Sequence, residues 1–340
     1  MSKKIALIVG VSGQDGAYLA HYLLKKNYKV YGGDRRAASN TFWRLKKLNI
    51  LDKIEIINLD VNEFSNIFNT INTYKPDEVY NLASQSFVGS SFDLPMVTSD
   101  STAIGTTRIL EAIKSISKDI RFYQASSSEM FGKVVEKPQN EETKFYPRSP
   151  YAVSKVYAHY MTVNYRESYG MHCNSGILFN HESPLRGESF VTRKITLALA
   201  NIFNKKQEYL EIGNLNAKRD WGFAGDYVEA MYKMLQTQTP DDYVIATGKN
   251  YSVREFIQNV CDILNIEIKW ERENENEVGI DIKNNKEIIK VNPKFYRPAE
   301  VEELLGDCSK AKQKLKWYPK HSFEELVKMM TLSDLEVSKN

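Results

Sequence analysis

The sequence predicts an α/β protein: a doubly wound parallel sheet with a smaller α/β domain appended. Three observations predict it. A short apolar run, Lys4 to Val9, ends in Gly10-Val-Ser-Gly13-Gln14-Asp15-Gly16 and gives way to a helical pattern of Ala17, Leu19, Ala20, Tyr22, Leu23 and Leu24. Further short apolar runs follow at intervals that leave room for crossover helices. A run near residue 121 then delivers Ser127 and Glu129, and Tyr151 and Lys155 come next at helical i, i+4 spacing.

The first turn carries the most specific local chemistry. Glycines count as a dinucleotide fingerprint only between a strand and a helix, and here they stand there. Gly10 permits the tight turn, and Gly13 lets backbone N–H groups approach a pyrophosphate. Gly16 allows close packing of helix on strand. Gln14 and Asp15 complete the turn that would hold the cofactor. The apolar stretch is too short for a secretory signal and lacks a small-residue cleavage site.

Tyr28 to Asp34 reads as the second strand. Asp34, eighteen residues after Gly16, stands where an acidic side chain binds the ribose hydroxyls of NAD. Arg35 and Arg36 follow at once and could grip the extra phosphate of NADP as a charge-assisted fork. The reading favours NADP and leaves NAD open. Glu55 to Leu59 is a third strand, ending in Asp60 and Val61, which would touch adenine. Glu78 to Ser84 is a fourth, with Leu82 and Ala83 in the turn beneath the cofactor. Arg121 to Ser126 is a fifth. Ligands of such sheets sit at the carboxyl ends of the strands, so Ser127 and Glu129 arrive beside the nicotinamide.

A tyrosine loses its proton near pH 10, so a tyrosine base at neutral pH needs a nearby cation. Lys155, one helical turn from Tyr151, is expected to keep the phenol acidic. This spacing resembles the hydride-transfer pair of the short-chain dehydrogenase/reductase superfamily. The Gly-x-x-Gly-x-x-Gly form resembles its extended, Rossmann-type branch. Glu129 adds an acid/base group that a plain dehydrogenase does not need, suited to moving a carbon-bound proton and expelling water.

The 340 residues allow one large cofactor domain and a smaller one. Residues 1–179 and 217–248 are expected to form the first, with 217–247 returning to the main sheet through a helix and a strand. Residues 180–216 and 249–340 form the second, which binds the nucleotide sugar. The polar stretch Glu271 to Asn285 is expected to be a solvated loop between small strands. No apolar run approaches the roughly 20 residues of a membrane span. A net charge of +3 with both signs interspersed argues against a nucleic-acid surface. Cys173, Cys261 and Cys308 show neither metal-ligand spacing nor a disulfide framework, and read as reduced thiols in a cytoplasmic protein. No metal site is expected.

Three later segments are more specific still: Asn180-His-Glu-Ser-Pro-Leu-Arg-Gly-Glu-Ser-Phe-Val191-Thr-Arg-Lys194, Ala217-Lys-Arg219-Asp-Trp-Gly, and Phe295-Tyr-Arg297-Pro-Ala-Glu300. With the motifs above they resemble the GDP-mannose 4,6-dehydratase family over nearly the whole chain. The resemblance implies conversion of a GDP-linked mannose to its 4-keto-6-deoxy form through tightly held NADP. It implies a homodimer or homotetramer, with the Arg35–Asn40 loop reaching a neighbour. By motif position, Asn180, Val191, Lys194, Arg219, Arg297 and Glu300 would contact the GDP moiety, cations on the diphosphate and the carboxylate on guanine. The chain departs from the family pattern at Ser127, where many members have Thr, and at Phe87 and Phe223, which are His in one branch. GDP-manno-heptose, one carbon longer, stays open as the substrate. A nucleotide-sugar 4-epimerase or 4-reductase would need Tyr151 and Lys155 but not Glu129. A non-catalytic dinucleotide sensor would need none of the four.

Overall fold

The computed structural model describes residues 3–296, 299 and 301–339. The first half of the chain alternates strand and helix. It runs β1 (Ile5–Val9), α1 (Gln14–Lys25), β2 (Lys29–Asp34), α2 (Trp43–Lys47), β3 (Glu55–Asn58), α3 (Phe64–Tyr74) and β4 (Glu78–Asn81). Two short helices, α4 (Val88–Asp93) and α5 (Pro95–Ser99), lead into α6 (Gly105–Ile116), followed by β5 (Arg121–Ser127), the long α7 (Pro150–Tyr169) and β6 (Cys173–Leu178). Next come β7 (Asn180–Glu182), α8 (Val191–Phe203), β8 (Leu210–Ile212), β9 (Lys218–Arg219), β10 (Trp221–Phe223), α9 (Ala224–Leu235) and β11 (Asp242–Ile245). The chain closes through β12 (Tyr251–Ser252), α10 (Val253–Ile263), β13 (Ile268–Glu271), β14 (Val278–Asp281), β15 (Lys286–Val291) and α11 (Phe323–Lys339).

Seven strands form one parallel sheet in the order β11-β6-β5-β4-β1-β2-β3. The order reverses between β1 and β4, which is where a doubly wound sheet opens a crevice at its carboxyl ends. Both faces are buried, as parallel strands require. Ala6 and Ile8 of β1 enter one core while Leu7 and Val9 enter the other, following the two-residue period of a strand. The expected α/β doubly wound architecture is present.

A second, four-stranded sheet has the order β13-β14-β15-β8 and packs with α8, α10 and α11 around its own core of Leu199, Phe256, Ile257, Ile289 and Val327. The stretch from Val301 to Trp317 contributes Leu304, Ala311 and Trp317 to the first core, although it follows this sheet in the chain.

The expectation of a loop across Glu271 to Asn285 is corrected: Val278–Asp281 is a strand paired on both sides, with β13 and β15. Its flanks are acidic and Asn-rich, which masks it, but Val278 is buried and the ladder satisfies its backbone. Cys173, Cys261 and Cys308 are free and buried. Among the described residues no helix is long and apolar enough to cross a membrane.

Candidate active site

A cleft of about 1300 Å³ opens at the carboxyl ends of the central strands. Gly10, Gly13, Gln14, Asp15, Gly16, Asp34, Arg35, Asp60, Val61, Leu82 and Ala83 line it, and so do Ser127, Glu129, Tyr151, Lys155, Asn180, Val191, Lys194 and Arg219. The structure therefore brings together residues that the sequence placed on separate segments. Arg36 does not line the cleft; its backbone N–H donates to Asn58 Oδ1 at 3.1 Å. Arg297 and Glu300 lie outside the described residues.

The glycine turn is built as its spacing requires. Gly10 has φ +90°, and a Cβ there would stand 3.0 Å from the backbone nitrogen of Ala83. A Cβ on Gly16 would stand 2.6 Å from Val11 Cα, so helix and turn can pack this closely only around glycine. Asp34 tests whether the cradle suits a dinucleotide. Its Oδ1 accepts the Arg35 N–H at 2.9 Å, while its buried Oδ2 has no hydrogen-bond partner among the described residues. A buried acceptor left unpaired is costly. A ribose hydroxyl in the cleft would satisfy it.

β5 runs out at Ser127, whose Oγ accepts the Glu129 N–H at 3.2 Å and starts a single 3₁₀ turn. That turn buries Glu129 at the cleft floor, 8% exposed. Helix α7 starts sharply because Ser149 caps it, accepting the Ala152 N–H at 3.1 Å, and Pro150 occupies its first position. Tyr151 and Lys155 thus face the cleft from the first two turns.

Burial dominates the proton affinity of both Tyr151 and Lys155. Burial pushes the phenol up to about 12, and the Glu129 charge adds to it; a hydrogen bond with Ser127 and the charge of Arg186 pull the other way. Lys155 gives its Nζ to the Ala125 carbonyl at 2.8 Å and stands 5.7 Å from the Tyr151 ring centroid. Burial lowers the Lys155 ammonium itself to about 8.

The predicted nucleotide-sugar residues converge from three elements. Asn180 lies on β7, which pairs with β10 through Asn180 and Trp221. Val191 and Lys194 share the first turn of α8, and Lys194 Nζ lies 3.5 Å over the Phe295 ring. Arg219 on β9 is buried and donates to the Lys218 carbonyl at 2.9 Å. The sequence reading passed over His181, Arg186 and Phe190, which also line the cleft. They lie inside the Asn180–Lys194 segment, so their signal was present in it.

The model of the GDP-mannose 4,6 dehydratase family matches residues 7–330. A GDP-mannose 4,6 dehydratase of Drosophila melanogaster is 51% identical over 98% of this chain and 87% of its own length. One from Vibrio cholerae is 48% identical over 99% of this chain and 95% of its own. The chain belongs to the GDP-mannose 4,6-dehydratase family. Its fold also matches a solved dTDP-glucose 4,6-dehydratase from Bacillus anthracis in complex with NAD, with a TM-score of 0.81 at 19% identity, covering 99% and 98% of the two chains.

In this member of the GDP-mannose 4,6-dehydratase family the glycine turn is tied to β7 by an ion pair. His181 Nε2 meets Asp15 Oδ2 at 2.8 Å and Nδ1 meets the Phe179 carbonyl at 2.7 Å, two acceptors that favour the protonated ring. It stacks on Tyr227 with centroids 4.6 Å apart. Burial alone would raise Asp15, but the charge and hydrogen bond of His181, with help from Gln14 and Arg186, hold it at about 2. Burial would likewise lower His181, and Asp15 reverses this to a net rise.

The two signs define a window. Asp15 contributes stability above its unfolded value of 3.8, lost as pH falls toward 2. His181 contributes below its ordinary value of 6.5, lost as pH rises through its elevated folded value. Asp15→Asn should flatten the acid limb of a stability-versus-pH curve by about 2 kcal/mol. Denaturant midpoints between pH 2 and 8 check this; an unchanged acid limb would remove the ion pair from the account.

Proposed function

We propose that this protein is a GDP-mannose 4,6-dehydratase, a hydro-lyase forming the 4-keto-6-deoxy sugar nucleotide and water. The observation that carries the reading is the convergence of Ser127, Glu129, Tyr151 and Lys155 on the cleft that also holds the glycine turn. A 4-epimerase or 4-reductase has no task for a buried carboxylate at position 129, and a sensor has none for any of the four.

The cradle fits a nicotinamide dinucleotide at Gly10–Gly16, Asp34, Asp60, Val61, Leu82 and Ala83. A nicotinamide held there would supply hydride chemistry, accepting a hydride from sugar carbon 4 and giving it back at carbon 6. Tyr151 removes the proton of the 4-hydroxyl while Ser127 holds the 4-oxygen. The ketone so formed acidifies the carbon 5 proton, which Glu129 takes. Glu129 then protonates the departing 6-hydroxyl, and a proton returned to carbon 5 leaves a net loss of one water. Lys194 and Arg219 suit the diphosphate, with Asn180 and Val191 beside them; Arg297 and Glu300 complete the proposed set.

The proposed cofactor is NADP. Arg35 lines the cleft beside Asp34, and neither Arg35 nor Arg36 has an ion-pair partner among the described residues. Converting both to Ala should weaken NADP binding about 10- to 100-fold and leave NAD unchanged. Tighter binding of NAD than of NADP by the unmodified protein would instead assign Asp34 Oδ2 to a free ribose hydroxyl. We read the assembly as a homodimer or homotetramer. Met96, Val97, Val153 and Tyr160, exposed on α5 and α7, supply an apolar face for it. Buried free thiols fit the cytoplasm.

One specific feature favours a second substrate. Ser127 lacks the methyl of a threonine, which leaves room for the extra carbon of GDP-manno-heptose. The purified protein should be incubated, without added cofactor, with each sugar nucleotide in turn. Loss of water from GDP-mannose supports the main reading, and loss only from the heptose keeps the mechanism but changes the substrate. Loss from neither, with NADP or NAD supplied, overturns the dehydratase.

A further inference from the structure

We infer that Arg44 is a positioning residue that couples the glycine turn to the loop facing the sugar nucleotide. It belongs to α2, a five-residue helix in the connection between β2 and β3. Its guanidinium donates from Nε to the Leu185 carbonyl at 2.6 Å and from Nη1 to the Ser12 carbonyl at 3.0 Å. Ser12 lies within the glycine turn, between Gly10 and Gly13. Leu185 lies in the loop between β7 and α8. One planar fork therefore spans the two halves of the cleft, lying over the Trp43 ring at 4.4 Å.

The loop has little other freedom. Arg193 Nη1 takes the two neighbouring carbonyls, Pro184 at 2.9 Å and Arg186 at 3.0 Å. Three successive carbonyls are thus turned toward two arginines. The Arg186 side chain is left lining the cleft, its guanidinium 3.6 Å over the Phe190 ring. Arg193 is anchored on α11 through Asp334, so it fixes the loop to the smaller core. Arg44 is the arginine that fixes the same loop to the glycine turn. Gln14 adds a neutral strand to this tie, donating to the His181 carbonyl at 3.1 Å and accepting from Ser183 Oγ at 2.8 Å.

A dinucleotide that orders the glycine turn must, through Arg44, restrict the 184–186 backbone as well. The ordering cost of the loop is then met before the sugar nucleotide arrives. Linkage makes the effect reciprocal: GDP must tighten the dinucleotide by the same factor. The inference rests on the proposed assignment of the cleft to NADP and a GDP-sugar.

The test measures GDP affinity at zero and at saturating NADP, on exhaustively dialysed protein, and NADP affinity with and without GDP. The unmodified protein should show each ligand tightening the other about fivefold or more. Arg44→Ala should lower that ratio at least about twofold, the Gln14 and His181 ties keeping the remainder, and Arg44→Lys, which keeps the charge but not the fork, should fall between. An unchanged ratio in Arg44→Ala, or a ratio of one in the unmodified protein, overturns the inference. If Arg44→Ala does not fold, Arg44→Gln, which can reach one carbonyl and not both, takes its place with the same expectation. Binding of both ligands without water loss from GDP-mannose would fail the proposed reaction and leave the coupling standing.

Discussion

Glu129→Gln is expected to slow water release from GDP-mannose by about 10²- to 10⁴-fold, the usual value of one positioned acid/base group. The amide keeps the shape of the side chain at the cleft floor, so GDP affinity should hold. Oxidation at carbon 4 depends on Tyr151 and Ser127, so the reduced-nicotinamide absorbance should still rise partway when substrate is added. Product mass follows the first effect and absorbance the second. Full turnover in the variant would remove Glu129 from the elimination step. Loss of both signals together would place it in substrate binding instead.

Arg193→Met should destabilise the fold by about 3–5 kcal/mol, the range for leaving one member of a buried ion pair alone. Asp334 is fully buried, and its Oδ2 accepts from Arg193 Nε at 2.7 Å and Thr196 Oγ1 at 2.6 Å. Burial already raises this carboxyl above the usual carboxylate range, with Thr196 and Arg193 opposing the rise. Without Arg193 it must rise further. A carboxyl raised in the folded state contributes stability below its unfolded pKa, lost as pH climbs through the folded value. The deficit of the variant should therefore be larger at neutral pH than at pH 4. Adding Asp334→Leu should recover most of it, and urea midpoints on the single and double variants measure both effects. A deficit within 1 kcal/mol at neutral pH would show that the pair is not holding α8 and α11 together.

What could be read from the chain were features local to one element. Gly10, Gly13 and Gly16 announce a turn because backbone geometry forces their type. Tyr151 and Lys155 announce a shared helix face because 3.6-residue periodicity does. The β14 strand was hidden because composition reports solvation and Val278–Asp281 is only four residues long between polar flanks. Arg44 and Arg193 were hidden for other reasons. Arg44 acts on carbonyl oxygens, which every residue carries, so no partner residue type marks its bonds, and Arg193 finds its carboxylate on α11, far along the chain at Asp334. The Tyr151–Lys155 relation was legible as proximity, while the Lys155 hydrogen bond to the Ala125 carbonyl was not. Spacing gives a common face, but it does not say which oxygen an ammonium will choose.

The abrupt start of α7 has an electrical consequence for the tyrosine one residue inside it. Peptide dipoles along a helix sum to roughly half a positive elementary charge at its N-terminus, strongest within the first turn. Tyr151 stands in that turn of a 20-residue helix. A phenolate formed there during proton transfer meets a field that stabilises it by about 0.3–1 kcal/mol, rising to about 2 kcal/mol in a partly buried setting. Unlike the ammonium of Lys155, that field has no proton to lose near pH 8. Moving the helix start by one turn would remove it without changing a single side chain.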